Sequence, residues 1–297
     1  MNYYIGIDGG GTKTLFGLYD QDGNLLKTHT EGTTHYVQVG YDGVTEILQR
    51  GIAVLTEGIE GIVPVGLGLA GYGREMTVRQ NLEAAVKKAI GHSQYVLKND
   101  AQIALNGALN GQDGILVIAG TGSIAMSRFD GQDDRCGGWG FSVGDEGSAY
   151  WIGKKVLAEF SKQSDGRHKK TALYDLVRET TQIKDDADII TYVNKTLGNK
   201  REEIAKLALI CAKGASVNDE ACLDIYKEVA SEISDMINVL ARKSQKEKVM
   251  VSYTGGVWKG RNYMDETFKQ CLDANVEIIE PIQGPIYGAY LYAKGLQ

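Results

Sequence analysis

Two short glycine-rich stretches, Asp8-Gly-Gly-Gly-Thr12 and Ala119-Gly-Thr-Gly-Ser123, occupy matching places in two similarly built parts of the chain. Each follows an apolar run and leads into an alternating run, which reaches an Asp-Gly pair at Asp22-Gly23 or Asp130-Gly131. Alternating residues before an Asp-Gly pair are typical of a β-hairpin. The repeated strand–turn–strand unit therefore predicts two related halves of one fold.

The composition of the two turns suits an anionic ligand. Glycine has no Cβ, so backbone N–H groups can converge on an anion. Two such turns that face one another across a cleft would hold a polyphosphate from both sides. The first turn lacks the G-K-[ST] ending of a Walker A loop and is followed by a strand pattern, which excludes a P-loop. The sequence therefore predicts a nucleotide-driven phosphotransferase of another kind.

Composition narrows the class of protein. The 297 residues suit about two domains. A net charge of −6, with no run of Lys or Arg, argues against a nucleic-acid partner. No apolar run approaches the roughly 20 residues that span a bilayer, so no membrane partner is expected. The first strand pattern begins at residue 3, without a secretory signal, and four widely spaced cysteines suit reduced thiols. We expect a cytoplasmic protein.

Hydrophobic periodicity predicts an alternation of strands and helices. In the first half, strands are expected at 3–8, 13–20, 24–30, 62–70 and 94–99, and helices at 41–57, 76–90 and 101–109. In the second half, strands are expected at 114–119, 123–129, 133–138, 248–253 and 275–280, and helices at 146–163, through most of 171–243, at 261–273 and at 286–293. This order predicts an α/β fold.

Asp100 is the first candidate catalytic residue. It ends an apolar strand and begins a helix, so it is either a helix N-cap or a group at a ligand crevice. In the second interpretation, its carboxylate accepts the proton of a substrate hydroxyl while that oxygen attacks the γ-phosphorus of a nucleotide.

Three further glycine-rich segments lie in the second half. Cys136-Gly-Gly-Trp-Gly140 and Gly144–Ala149 together suit a small polar ligand, since exposed main-chain groups can bind it while Trp139 shapes the wall. Asp145 is either a helix cap or a bidentate contact for sugar hydroxyls. Thr254-Gly-Gly-Val257 follows a strand and offers backbone to a base or ribose.

Taken in order, these motifs resemble those of N-acetylglucosamine kinases in the BadF/BadG-type ATPase family, which belongs to the sugar kinase/Hsp70/actin superfamily. The resemblance implies an α/β fold of two ribonuclease-H-like (actin- or hexokinase-like) domains with a central cleft. The first domain is expected at 1–112 plus 286–297. The second is expected at 113–285, with a helical insertion.

The resemblance also implies the roles of individual residues. Asp8 would hold Mg²⁺ through water, and Asp100 would take the proton from the 6-hydroxyl of the sugar. The implied ATP contacts are Gly10, Gly11, Thr12, Lys13, Gly120, Thr121, Gly122, Ser123, Gly255 and Gly256. The implied sugar contacts are His35, Asp100, Thr121, Gly138, Trp139, Gly140, Asp145 and Ala149. The expected activity is ATP-dependent phosphorylation of N-acetylglucosamine, N-acetylmuramic acid or both.

Some alternatives stay open. The family's amino-sugar kinases often carry Asn in an early sugar loop, where this chain reads Thr33-Thr-His-Tyr36. His35 is then either a sugar contact or a residue of a surface loop, and unacetylated glucosamine is another possible substrate. A function of a different class is an ATPase activator of a reductase, with an iron–sulfur cluster held between two subunits by cysteines. A homodimer is compatible with the family but is not required by the apolar pattern.

Overall fold

Strands and helices alternate along the chain in a computed structural model that describes residues 2–73 and 75–296. The strands are β1 (Tyr3–Gly9), β2 (Lys13–Asp20), β3 (Leu25–Gly32), β4 (Val65–Leu69), β5 (Tyr95–Asn99), β6 (Gly114–Ala119), β7 (Ser123–Phe129), β8 (Gln132–Gly137), β9 (Val249–Thr254) and β10 (Val276–Ile278). The α-helices are α1 (Tyr36–Thr56), α2 (Met76–Ile90), α3 (Asp100–Ala108), α4 (Ala149–Ser164), α5 (Ala172–Thr181), α6 (Asp188–Thr191), α7 (Arg201–Lys206), α8 (Ala208–Ser216), α9 (Glu220–Ser244), α10 (Asp265–Cys271) and α11 (Pro285–Lys294).

Within the described residues, the strands form two five-stranded sheets with the same order. The orders are β3-β2-β1-β4-β5 and β8-β7-β6-β9-β10. In the first sheet, β1, β2 and β3 form an antiparallel meander, and β4 and β5 join it in parallel. In the second sheet, β7 and β8 are antiparallel, while β9 runs parallel to both β6 and β10. The common order agrees with the repeat that the two glycine turns predict.

The chain divides into two compact units. The first comprises Met1–Gly114 with Glu280–Gln297, and the second comprises Ile115–Ile279. The first core lies between the sheet and α1 and α2, and includes Ile7, Leu48 and Leu82. The second core is built largely by helices of the second unit, with β6 and β9. The domain limits expected from the sequence stay a prediction.

Two helices differ from the sequence-based expectation. α1 begins at Tyr36, five residues before the expected start, and is broken at Gly40, whose φ is +69°. Its buried residues begin at Val44, so the more exposed first turn carries no apolar periodicity. The helix expected at 261–273 is a 3₁₀ helix over Gly256–Tyr263 followed by the short α10.

α11 packs directly on the first unit because glycines allow close backbone contact. A Cβ on Gly66 of β4 would overlap the carbonyl oxygen of Ala289, and a Cβ on Gly288 would overlap that of Ile103 in α3. The Asn106 side-chain amide also donates to the Gly288 carbonyl at 2.8 Å. The C-terminal helix is therefore an integral layer of the first unit.

We expect Gly288→Ala to lower the free energy of unfolding by about 1–3 kcal/mol, the usual range for an overpacked core. The added methyl group must push α11 away from α3. Urea denaturation measures the change. Gly32→Ala is the control, because a Cβ there meets open space, and it should stay within about 0.5 kcal/mol of the unmodified chain. Equal effects of the two substitutions would contradict close packing at Gly288.

Candidate active site

The first glycine turn presents exposed backbone between β1 and β2. Strand pairing extends to Gly9 opposite Thr14, and the Gly10 amide donates to the Lys13 carbonyl at 3.0 Å. A Cβ on Gly11 would meet nothing within 4 Å, and Gly11 and Thr12 are exposed. The turn can therefore accept a ligand close to its backbone.

The loop that precedes and begins α1 holds this turn in place. The Thr33 hydroxyl donates to the Gly10 carbonyl, and the Gln38 side-chain amide donates to the Gly11 carbonyl, each at 2.8 Å. These bonds occupy turn carbonyls, which would otherwise repel an anion. Thr33 lies in the loop quoted from the sequence for His35, but neither its bond to the turn nor that of Gln38 was expected, because both depend on tertiary contacts.

Asp100 is not the N-cap of α3. That place belongs to Asn99, whose side chain accepts from the Ala101 amide at 2.9 Å while Gln102 accepts from the Asn99 amide at 3.0 Å. This reciprocal capping box satisfies the helix terminus. The Asp100 carboxylate also accepts from the Ala101 amide. Burial raises the pKa of Asp100, which that hydrogen bond and the nearby His35 partly oppose.

Asp8 lies near Asp100 at the same end of the first sheet. It is the penultimate residue of β1 and lies beside Gly68 of β4. Burial and, to a smaller extent, the charge of Asp100 together raise the pKa of Asp8 to about 6, and the charge of Lys13 partly opposes them. Two partly desolvated carboxylates with mutual repulsion favour a cation or a proton between them.

Asp8 fits a magnesium ion that arrives with a nucleotide. In proteins Mg²⁺ is commonly held by one or two carboxylates plus substrate phosphates. Among residues 2–73 and 75–296, no group of three or more His, Cys, Asp or Glu side chains could hold a metal. A carboxylate whose charged form is disfavoured by burial is stabilised by such an ion.

His35 lies beside Asp100 rather than on a remote loop. Its ring stacks on Tyr36, with centroids 5.5 Å apart, and Tyr36 stacks in turn on Tyr41. The ring is near the turn after β4, since its Nε2 lies 3.7 Å from the position of a Cβ on Gly71. Its Nδ1 is buried and has no hydrogen-bond partner among the described residues. The ring thus has a polar atom that is available to a ligand.

The second glycine turn, between β6 and β7, is braced by the start of α4. The Ala149 amide donates to the Gly120 carbonyl at 2.8 Å, and the Tyr150 amide donates to the Thr121 carbonyl at 3.3 Å. α4 is capped by Ser148, whose hydroxyl accepts from the Trp151 amide. The capping role considered for Asp145 therefore belongs to Ser148.

Two other residues of the second turn, Gly122 and Ser123, contact residues that lie outside the turn. The Ser123 hydroxyl donates to the Glu146 carbonyl at 2.5 Å. A Cβ on Gly122 would overlap the guanidinium of Arg201. Asp145 is 2 % exposed, and its Oδ2 accepts from Arg201. Arg201 carries no motif signal in the sequence, because it lies far along the chain in a helical segment.

Gly255 lies against the second turn, and Gly256 follows it. Gly255 has φ +112°, and a Cβ there would overlap the carbonyl of Ala119. A cavity of about 400 Å³ begins beside it, lined by Gly256, Ala149 and mostly apolar side chains such as Tyr226. Its size is in the range of small-ligand pockets, roughly 300–1,000 Å³.

The segment around Trp139 is exposed. Trp139 is 68 % exposed, and the guanidinium of Arg135 lies over its ring at 4.9 Å. Arg135 also donates to the Gly138 carbonyl at 3.2 Å. Gly138 and Gly140 both have positive φ, which explains the glycines there. The Gly144 amide donates to the Gly140 carbonyl at 2.8 Å, which links the end of this segment to the residue before Asp145.

The chain matches the BadF/BadG/BcrA/BcrD ATPase family over residues 5–293. It belongs to this family. The assignment made from the ordered sequence motifs is confirmed.

Two relatives of this BadF/BadG/BcrA/BcrD-type ATPase match over nearly their whole length. The N-acetylmuramic acid/N-acetylglucosamine kinase of Clostridium acetobutylicum is 32% identical over 99% of both chains. The N-acetyl-D-glucosamine kinase of Dictyostelium discoideum is 30% identical over 98% of this chain and 97% of that protein. A solved structure from Chromobacterium violaceum, described as a candidate N-acetylglucosamine kinase, is similar with a TM-score of 0.75, 26% identity and 99% coverage of both chains. The expected α/β fold of actin- and hexokinase-like sugar kinases is confirmed.

Each unit of this family member brings together some of the residues predicted for the site. In the first unit, the grouped residues are Asp8, Gly10, Gly11, Thr12, Lys13, His35 and Asp100. In the second unit, they are Gly120, Thr121, Gly122, Ser123, Asp145, Ala149, Gly255 and Gly256. Their individual roles stay predictions. No helix in the described ranges is long and apolar enough to cross a membrane.

We expect Asp100→Asn to lower the pKa of Asp8 below its value of about 6. The substitution removes a like charge, which favours the ionised form, whereas burial still holds the pKa above the ordinary range. A pH titration of the Asp8 carboxyl carbon by ¹³C NMR measures it. Asp22→Asn, at the exposed β2–β3 turn, is the control and should leave the midpoint unchanged. An unshifted midpoint in Asp100→Asn would show that the two carboxylates do not interact.

Proposed function

We propose that this ATP-dependent sugar kinase transfers the γ-phosphoryl group of ATP to the 6-hydroxyl of N-acetylglucosamine, N-acetylmuramic acid or both. The observation that carries the proposal is the grouping of an open glycine turn with Asp8 and Asp100 at one end of the first sheet. The relatives' amino-sugar kinase names, over nearly the full length, support the substrate class.

Asp100 is the proposed catalytic base. Its pKa is raised by burial, which makes the ionised carboxylate a better proton acceptor than an exposed aspartate. As the sugar oxygen forms its bond to the γ-phosphorus, the bond from that phosphorus to the bridging oxygen of ADP breaks, and the hydroxyl proton moves to Asp100. The capping box at Asn99 frees Asp100 from a purely structural role.

The phosphates require positioning and charge neutralisation more than covalent chemistry. We assign this to the Gly10–Lys13 turn in the first unit and the Gly120–Ser123 turn in the second. Asp8 would hold Mg²⁺, through water, against the phosphate oxygens, and the ion would neutralise their charge. Fixed turn amides add stabilisation without reorganisation.

The second unit carries the proposed adenosine site and most of the sugar contacts. The cavity beside Gly256 is apolar enough for an adenine ring. We assign to the sugar the residues Thr121, Gly138, Trp139, Gly140, Asp145 and Ala149, together with His35 and Asp100 of the first unit. His35 is favoured as a sugar contact because its Nδ1 is buried without a partner and because His35 lies close enough to Asp100 to lower the pKa of that carboxyl.

The iron–sulfur activator gains no support from the cysteines. Cys211 and Cys222 are both buried, Cys136 is half-buried and Cys271 is exposed. The Cys211 thiol donates to the Cys222 carbonyl at 3.5 Å, within the helical packing. Packing of the helices accounts for the positions of Cys211 and Cys222. A cytoplasmic location and a homodimer stay predictions.

The proposal is tested by coupled ADP release with N-acetylglucosamine, N-acetylmuramic acid, glucosamine, N-acetylmannosamine and glucose. We expect the highest kcat/KM with one of the first two sugars. The product should show phosphorus coupling to the C6 protons by ³¹P–¹H NMR. A preference for glucosamine would move the substrate to the unacetylated sugar. Equal kcat/KM on glucose would overturn the amino-sugar assignment, and coupling to the anomeric proton would overturn the 6-hydroxyl assignment.

A further inference from the structure

Arg201 reaches the second glycine turn from a distant part of the chain. It is the first residue of α7, yet its guanidinium lies where a Cβ on Gly122 would be. A side chain at position 122 would displace it from this position. The guanidinium therefore lies directly on the backbone of a turn that carries proposed phosphate contacts.

The position of Arg201 is held from two sides. Its Nη2 donates to Asp145 Oδ2 at 2.5 Å. The Phe141 ring lies 5.8 Å from the guanidinium carbon, within the range of a cation–π contact. Asp145 has φ +68°, a left-handed conformation that aspartate tolerates better than most residues. This backbone turns the carboxylate of Asp145 toward Arg201.

The guanidinium has unused donor capacity. Arginine has five N–H donors, and Arg201 Nε is buried without a hydrogen-bond partner among the described residues. Leaving a buried donor unpaired is unfavourable. At the same time the side chain is 29 % exposed, whereas that of Asp145 is 3 % exposed. The Arg201 guanidinium is thus paired with the buried Asp145, while part of the Arg201 side chain stays exposed.

We infer that Arg201 contacts the terminal phosphoryl group of the bound nucleotide, with Asp145 as the residue that positions it. This inference rests on the proposed function, since it assumes that the second turn binds phosphate. A guanidinium matches the oxygens of a phosphoryl group in a bidentate manner. Its fixed positive charge would stabilise the charge that the transferring group carries in the transition state.

This arrangement differs from the surface ion pairs of the same unit. Arg242 and Asp273 form a two-point pair at 2.7 and 2.8 Å, but the Arg242 side chain is 68 % exposed and approaches no glycine turn. Exposed pairs contribute little to stability or function. Arg242 is therefore the matched control for Arg201.

The test is the affinity of AMP-PNP, ADP and AMP with Mg²⁺, measured by isothermal titration calorimetry on the full chain. For Arg201→Ala we expect the Kd of AMP-PNP to rise about 10- to 100-fold, the range for a lost charge-assisted hydrogen bond. The Kd of AMP should be unchanged, because AMP has no terminal phosphoryl group at this position. Arg242→Ala should leave all three affinities unchanged.

Arg201→Lys is the second variant, in case Arg201→Ala does not fold because its Asp145 is left buried and unpaired. The lysine retains a positive charge that can pair with Asp145. This variant should show a smaller rise in the Kd of AMP-PNP. The inference is overturned if the Arg201 variants weaken all three nucleotides equally, weaken none, or change only the KM for sugar. If the unmodified protein phosphorylates no amino sugar, the proposed function fails, and the affinity comparison still reports on Arg201.

Discussion

The desolvation of two neighbouring carboxylates, Asp8 and Asp100, is the constraint on which the candidate site depends. Each lies near the carboxyl end of a parallel strand in the first sheet, where the strand order brings β1, β4 and β5 together. Burial raises both pKa values. When both carboxylates are ionised, their mutual repulsion favours a bound cation and a substrate that can donate a proton. Phosphoryl transfer to an alcohol uses both.

Hydrogen bonds and close backbone contacts hold the two glycine turns in place. Thr33 and Gln38 bind the carbonyls of the first turn, so the start of α1 and the turn form one rigid element. In the second unit, Gly255 lies against Ala119, which joins the segment beside the cavity to the second turn. Several of the motif glycines therefore serve packing, and a substitution at one of them alters the fold as well as any proposed ligand contact.

The sequence predicted the strands around both turns closely, because β-hairpin signals and alternating residues are local. Asp100 stood out as a carboxylate at the end of an apolar strand, whereas the role expected for Asp8 came from the family resemblance. The sequence could not identify Arg201, whose role depends on tertiary packing over Gly122. The N-cap role considered for Asp100 belongs to Asn99, and the two residue types cap helices about equally well, so composition alone does not distinguish them. The exposed first turn of α1 was missed because it carries no apolar period.

The most direct test of the account is the steady-state turnover of Asp100→Asn with the preferred amino sugar. The account predicts a kcat about 10²- to 10⁴-fold lower, the usual contribution of a general base, with a modest change in KM. Unchanged nucleotide affinity in the same variant would show that the fold and the phosphate contacts persist. Turnover like that of the unmodified protein would contradict the central claim that this buried carboxylate accepts the sugar proton.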